Sequence, residues 1–165
     1  MGTPLGADFA FILGRDLDAL AAQIERYPDD ASLWRVTELV TNPTGTLTLH
    51  VVGNLRHYVG EVLGASGYRR DREREFSCRD LARQELVDLV RACRAEVVPV
   101  LERLTEEALS GDYPGDLPPS MRGATTRRFL LHLSGHFMWH LGQADYHRRL
   151  LAGAEPAKPG HGTSS

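Results

Sequence analysis

The sequence predicts an all-α protein that folds as one four-helix bundle. Four long segments carry apolar residues at the i, i+3 and i+4 spacing of amphipathic helices, and no segment alternates with period two over the length of a strand. The length of 165 residues suits one domain, and we find neither an internal repeat nor a second domain. Amphipathic helices bury their apolar stripes against one another, so the expected architecture is a bundle that spans residues 1–152.

Proline residues mark the boundaries of the first two helices. The first is expected over about residues 8–26, and it stops before Pro28. The second is expected to start at Asn42-Pro43, because asparagine suits the cap position and proline suits the first helical turn. It continues to about Leu63, where a glycine-rich stretch ends it.

The third helix is expected to begin at Ser77, because Ser77 and Asp80 have the spacing of a capping box. It runs to about Leu104, and Pro99 should bend or divide it, since proline removes one backbone hydrogen bond.

The fourth helix is expected to start at Thr125 or Thr126 and to reach about Leu151. Residues 153–165 are small, polar and rich in proline and glycine, which predicts a disordered tail. Two connections are longer than a tight hairpin needs: residues 65–78 and residues 110–124. At least one of them is expected to cross over the bundle, so periodicity alone leaves the topology open.

Composition excludes several classes of protein. The 19 Lys and Arg residues against 22 Asp and Glu residues give a net charge of -3, which argues against a nucleic-acid partner. No apolar run approaches the ~20 residues that cross a bilayer, and the first residues do not resemble a signal peptide. Cys78 and Cys93 are too few for a disulfide framework and are expected to be reduced thiols. A cytoplasmic protein without a membrane partner is therefore expected.

The seven histidines carry most of the functional signal. His136 and His140 lie four residues apart on the fourth helix, at about -60° and -20° from the centre of its apolar stripe at Leu133. Both are therefore expected to point inward. This spacing presents two imidazoles from one helix face to a single metal ion.

A third ligand would come from the second helix, where the spacing does not distinguish His50 from His57. A single inward histidine is more often a hydrogen-bonded core residue than a ligand. Three buried imidazoles without partners would cost several kcal/mol in total, however, and one shared divalent ion would satisfy all three. His132 is expected at the rim of a pocket and His147 at one end of the bundle, because they lie beside or beyond the pair.

The residues His50-Val-Val-Gly-Asn-Leu-Arg and His132-Leu-Ser-Gly-His136-Phe-Met-Trp-His140-Leu-Gly-Gln143 give the chain a family resemblance. In this pattern, and in the order of elements from about residue 8 to residue 151, the sequence resembles the DinB/YfiT-like superfamily. The resemblance implies an up-down-down-up bundle, commonly a homodimer. It also implies that His50, His136 and His140 bind a zinc or nickel ion, and that His57 and His132 do not.

Three neutral imidazoles leave a coordination position open, and a thiol bound there has a lowered pKa. Since characterised members of the superfamily include thiol-dependent S-transferases and a mycothiol-dependent isomerase, the resemblance implies a transferase that joins a low-molecular-weight thiol to a small electrophile. Asn54 and Gln143 lie near the ligand faces, where they either orient a substrate or form hydrogen bonds between helices.

Two alternatives stay open at this stage: a metal-dependent hydrolase, and a non-catalytic metal-binding or stress-response protein. Hydrolysis lacks a visible base, because Asp145 is expected to face away from the histidines and Glu61 lies roughly 16 Å from His50 along the helix. Asp16 on the first helix is the carboxylate that folding would have to bring in.

Overall fold

The structure is a computed structural model that describes residues 2–38 and 40–151. The tail predicted for residues 153–165, including His161, lies outside the described residues, and the domain boundary at residue 152 stays a prediction. Within the described ranges the chain forms helices and no strand, which confirms the all-α prediction. Asp112 and Thr125 form an isolated antiparallel β-bridge in these ranges.

Four long helices form the bundle and two short ones lie in its connections. The α-helices are α1 (Pro4–Glu25), α2 (Thr44–Leu55), α3 (Arg72–Ser77), α4 (Arg83–Glu102), α5 (Glu106–Ser110) and α6 (Thr126–Leu151). Two 3₁₀ turns, Ala31–Trp34 and Pro119–Met121, precede α2 and α6. A π-helical segment, Arg56–Glu61, continues α2 without a break. Among the described residues, no helix combines the length and the hydropathy that a membrane-spanning segment requires.

Contacts between the long helices fix the up-down-down-up topology. Helix α1 runs antiparallel to α4 and parallel to α6, and α2 runs antiparallel to α6 and parallel to α4. Two contacts establish each direction: Glu25–Arg91 and Asp18–Arg94 for α1 with α4, and Arg15–Met138 and Gln23–Asp145 for α1 with α6. The corresponding contacts are Thr44–His147 and His50–His140 for α2 with α6, and Val52–Cys93 and Arg56–Glu96 for α2 and its π-helical continuation with α4. Because α2 and α4 are parallel, the chain between them must travel the length of the bundle, and α3 lies in this crossover.

Two of the predicted helix starts were wrong. Asn42 is not the cap of α2; Pro43, in an extended conformation, holds the N-cap position and makes no side-chain hydrogen bond there. Ser77 ends α3 instead of starting the third long helix, so the pattern of Ser77 and Asp80 was a false capping box. The start of α4 is stabilised by the Glu85 carboxylate, which accepts a hydrogen bond from the Ala82 backbone N–H at 2.8 Å.

Other local signals agree with the structure. The Thr3 hydroxyl caps α1 by accepting from the Gly6 N–H at 3.0 Å, and Pro4 occupies the first helical turn. Pro99 lies inside α4, which continues past it to Glu102. The helix is therefore not divided at the proline.

One contiguous core joins the four long helices. Its largest fully buried side chains include Tyr27, Phe129 and Phe137, together with leucines from α1, α2, α4 and α6. Burial of such side chains is the main favourable contribution to folding, at roughly 1.5–3 kcal/mol for each large apolar side chain. This core holds α2 and α6 side by side and thereby positions the histidines.

Candidate metal centre and adjoining cavity

The antiparallel contact between α2 and α6 brings three histidines together. His50 comes from α2, and His136 and His140 come from successive turns of α6. One ligand atom of each lies within 4.8 Å of those of the other two, so the cluster has the geometry to bind a metal ion. His50 is buried, whereas His136 and His140 are half-buried at the edge of the bundle.

Hydrogen bonds at the rear of two rings leave the opposite nitrogens free. The Nδ1 atom of His140 lies 2.7 Å from Gln143 Oε1, and that of His50 lies 3.0 Å from Glu75 Oε2. In both cases Nδ1 is the donor, because an amide or carboxylate oxygen can only accept. The Nε2 lone pairs of His50 and His140 are therefore available to a metal, in the arrangement that outer partners impose on histidine ligands.

The separation of the two ring nitrogens on α6 allows both to bind one metal ion. His136 Nε2 and His140 Nε2 lie 3.1 Å apart. Two nitrogens bound to one tetrahedral zinc ion at ~2.0–2.1 Å would lie roughly 3.3 Å apart. The Asn54 amide nitrogen lies 3.4 Å from His50 Nε2 and can only donate to it, which is consistent with an unprotonated Nε2.

The pair on α6 is neutral at physiological pH. Burial, together with the nearby His140 and His50, lowers the pKa of His136 to about 4. Burial also lowers the pKa of His140, although its hydrogen bond to Gln143 opposes this shift. Neutral imidazole is the form that binds metal ions, so the two histidines of α6 have the required protonation state.

Glu75 is the contact that the sequence analysis missed. It is a buried residue of α3, and its carboxylate accepts two hydrogen bonds from Arg70, at 2.6 and 2.8 Å, in addition to that from His50. Burial alone would raise the pKa of Glu75, but the hydrogen bonds from Arg70 and His50 outweigh it and lower the pKa. The carboxylate is therefore ionised and holds the His50 ring in place.

Nothing local in the sequence identifies Glu75 as a functional residue. It lies 25 residues after His50 in a six-residue helix that is too short to show a hydrophobic period. The useful signal is Gly53 on α2: a Cβ atom there would lie 2.1 Å from Glu75 Oε1. This glycine lets α3 approach α2 closely enough for the carboxylate to reach His50.

The remaining predicted residues fall into two groups. Asn54 and His132 line a cavity beside the histidines, and Gln143 contacts His140, so all three lie at the site. His57 and His147 do not join the cluster: His57 packs on Tyr58, and His147 is buried with Tyr27 and Thr44 at one end of the bundle.

The carboxylates considered from the sequence lie elsewhere. Asp145 contacts Gln23 and Arg148, as expected for a residue that faces away from the cluster. Asp16 is buried beside Arg15, with 2.7 Å between their charged atoms, and it is not among the residues that line the cavity.

A cavity of about 230 Å³ opens next to the cluster. His50 and His136 form part of its wall, and its polar side chains also include Asn54, Tyr58, Arg70, Arg72 and His132. The π-helical segment contributes Tyr58 to this wall, as π-helical turns often do at functional sites. No carboxylate of the described residues lines the cavity, whose charged side chains are both arginines.

Comparison with known proteins gives one result. The family model described as mycothiol-S-transferase matches residues 9–153, which is most of the chain. This family is DinB/YfiT-like, so the resemblance drawn from the histidine motifs is confirmed. No curated protein and no solved structure matches the chain.

Proposed function

The chain belongs to the mycothiol-S-transferase family, and from this premise we propose that it is a metal-dependent transferase that joins mycothiol to a small electrophile. The observation that carries the proposal is the convergence of His50, His136 and His140, with two rings fixed from behind by Glu75 and Gln143. We propose these three histidines as the metal ligands. A catalytic metal site keeps a position open for a reactant, and three protein ligands leave such a position.

The proposed reaction is a nucleophilic substitution or addition by sulfur. The chemistry that a divalent ion supplies when bound is Lewis acidity, which lowers the pKa of a coordinated thiol. In a substitution, a bond forms between sulfur and the electrophilic carbon, the leaving group departs with its electron pair, and the thiol proton passes to solvent. The metal is proposed to be zinc or nickel, because both suit imidazole ligands.

The chain's own residues hold and shape this site. Glu75 and Gln143 accept from the Nδ1–H groups of His50 and His140 and so keep Nε2 of each ring unprotonated. Asn54 and Tyr58 line the adjoining cavity, where they contact the substrates. We propose that Asn54, His132 and Gln143 orient the ligands or the substrates and take no part in bond making.

Two further features of the proposal follow from its chemistry. We propose a cytoplasmic location, because the thiol substrate must be reduced and low-molecular-weight thiols are kept reduced there. A homodimer, which the superfamily resemblance implies, stays a prediction. Size-exclusion chromatography with light scattering would measure it.

Hydrolysis is less well supported than thiol transfer. The carboxylate nearest to the cluster, Glu75, is occupied by Arg70 and His50 and does not line the cavity. A general base must reach the water that it deprotonates. No carboxylate of the described residues lines the cavity, so a carboxylate base for water is missing there.

The test begins with protein purified without chelator, whose metal content is measured by mass spectrometry. We expect about one zinc or nickel ion per chain, and we expect metal-dependent consumption of mycothiol with 1-chloro-2,4-dinitrobenzene as the acceptor. His136→Ala should lose both the metal and the turnover. His57→Ala is the matched control and should keep both, because His57 does not join the cluster.

Three outcomes would contradict the proposal. Equal loss of metal from His57→Ala and His50→Ala would show that the second-helix ligand is wrongly assigned. Turnover of esters, amides or phosphates in thiol-free buffer would favour the hydrolase. Metal binding without turnover of either the thiol and electrophile or the esters, amides and phosphates would favour the non-catalytic metal-binding protein.

A further inference from the structure

The arginines of the cavity differ in how their charges are balanced. Arg70 makes a two-point ion pair with Glu75, at 2.6 and 2.8 Å, so its charge is matched within the protein. Arg72 is exposed at the start of α3 and has no carboxylate within 4.0 Å among the described residues. One positive charge at the mouth of the cavity is therefore left without a protein counterion.

The surroundings hold Arg72 near the histidines. Its guanidinium lies over the Phe76 ring, with the carbon 5.4 Å from the ring centroid. The Phe76 ring in turn lies 5.2 Å from the His50 ring, measured between centroids. A single aromatic ring thus separates the free guanidinium from a proposed metal ligand. Such a cation–π contact orients the guanidinium and still leaves its N–H groups free to donate.

The apolar part of the cavity lies beside this charge. Phe129, Leu133 and Pro118 line the same space, and His132 stacks on Phe129 at a centroid distance of 6.0 Å. A flat, apolar group fits against these side chains, while a terminal anion fits against Arg72. Arginine binds carboxylates with two parallel hydrogen bonds, which favours a carboxylate over a neutral polar group.

We propose that this cavity binds the electrophilic co-substrate, and that Arg72 selects acceptors that carry a carboxylate. This rests on the proposed function, because it assigns the second substrate of the same site. Mycothiol carries no carboxylate, so the unmatched arginine has no partner on the thiol. The acceptor class is accordingly a small aromatic or unsaturated electrophile with one carboxylate.

The kinetic test compares 4-chloro-3-nitrobenzoate with its methyl ester, using mycothiol as the thiol. In both, the sulfur forms a bond to the carbon that carries chlorine, chloride leaves with the electron pair, and the thiol proton goes to solvent. We expect kcat/KM to favour the carboxylate by about tenfold after correction for the uncatalysed rates, since a charged hydrogen bond contributes on this order. Arg72→Gln should abolish the preference, and Arg72→Lys should keep part of it.

Arg74→Gln is the matched control. Arg74 is also an exposed arginine of α3, but it lines a different surface with Ser77 and Cys78. This variant should keep the full preference for the carboxylate. Metal content should be equal in the wild-type protein and in all three variants, because neither arginine touches the three histidines.

A binding experiment separates this inference from the proposed function. 3-Nitrobenzoate and its methyl ester lack a leaving group, so their affinities for the metal-loaded protein can be measured by calorimetry whether or not turnover occurs. Tighter binding of the carboxylate, lost in Arg72→Gln, supports the inference even if thiol transfer fails. Equal binding of acid and ester overturns it. A preference that survives in Arg72→Gln also overturns it, because the carboxylate would then be bound by the metal or by another residue.

Discussion

Among single residues, Glu75 is the main outer contact of the proposed metal centre, although it is not one of the proposed ligands. Its carboxylate is buried, ionised, and shared between Arg70 and His50. A histidine ligand binds through one nitrogen only if the other nitrogen carries the proton, and Glu75 fixes this tautomer in His50. Burial of the carboxylate also removes competing water from the hydrogen bond.

Glu75→Gln should lower the affinity for zinc by about 10 to 100-fold, the usual range for loss of an outer partner. The amide can still accept from His50, but it carries no charge to stabilise the Nδ1–H group or to match Arg70. Titration against a competing chelator measures the change. Glu73→Gln, an exposed residue of α3, is the control and should leave the affinity unchanged. Equal affinities for all three proteins would remove Glu75 from the metal centre.

At the scale of elements, the contact between α2 and α3 delivers Glu75 to the site. Gly53 permits this contact, because any Cβ atom at that position would collide with the carboxylate. The effect is steric and does not depend on backbone strain. The positions of the two helices and the chemistry of the site are therefore coupled through one residue without a side chain.

Gly53→Ala should weaken metal binding by displacing Glu75, even though alanine favours a helix by roughly 0.5–1 kcal/mol over glycine. Gly135→Ala on α6 is the matched control, because nothing lies within 4 Å of a Cβ atom there. It should raise the melting temperature and leave metal affinity unchanged. Equal metal affinity in both variants would contradict the steric role of Gly53.

Periodicity predicted the long helices because burial of one helix face is a local, repeating signal. The same signal placed His136 and His140 on one face, while the choice of His50 over His57 needed the family resemblance. Helix α3 could not be predicted, because six residues are too few to show a helical hydrophobic period. The π-helical segment could not be predicted, because its sequence pattern continues that of α2. The contact of Glu75 with His50 depends on tertiary packing, which a pattern within one helix does not contain.

At the scale of the whole molecule, His147 ties three parts of the bundle together. It is fully buried, and its Nε2–H donates to the Arg35 carbonyl at 2.8 Å. Its Nδ1 accepts from the Tyr27 hydroxyl at 2.7 Å and lies 3.1 Å from the Thr44 hydroxyl. Burial lowers the pKa of His147; the hydrogen bond to the Arg35 carbonyl opposes this shift, and the charge of Arg35 adds a smaller lowering. Burial also raises the pKa of Tyr27 to about 12, so that the phenol remains a donor.

Acidification should therefore destabilise the protein. The unfolded chain takes up a proton at His147 near pH ~6.5, whereas the folded chain does so only at lower pH. The free energy of unfolding is then greatest above the unfolded pKa of ~6.5 and falls as the pH is lowered from there through the folded pKa. Denaturant melts of metal-free protein between pH 8 and pH 5 measure this loss.

The contribution of His147 is isolated with His147→Gln, which should be less stable at pH 8 and should lose less stability on acidification. His136 and His140 titrate equally in both proteins, so their contribution cancels. A pH dependence that is identical in wild type and His147→Gln would refute this assignment.

The parallel arrangement of α2 and α4 has a consequence for how this fold can diversify. Parallel neighbours require a long return path, and that path carries Arg70, Arg72 and Glu75, whereas the histidines belong to the bundle. Most residues of this path are exposed and contribute little to the core. Under the proposed function, changes of sequence there can alter which acceptor enters the cavity at small cost to folding, as long as the contact between Glu75 and His50 is kept. Evolution or design can thus vary selectivity in the crossover while the reaction centre stays constant.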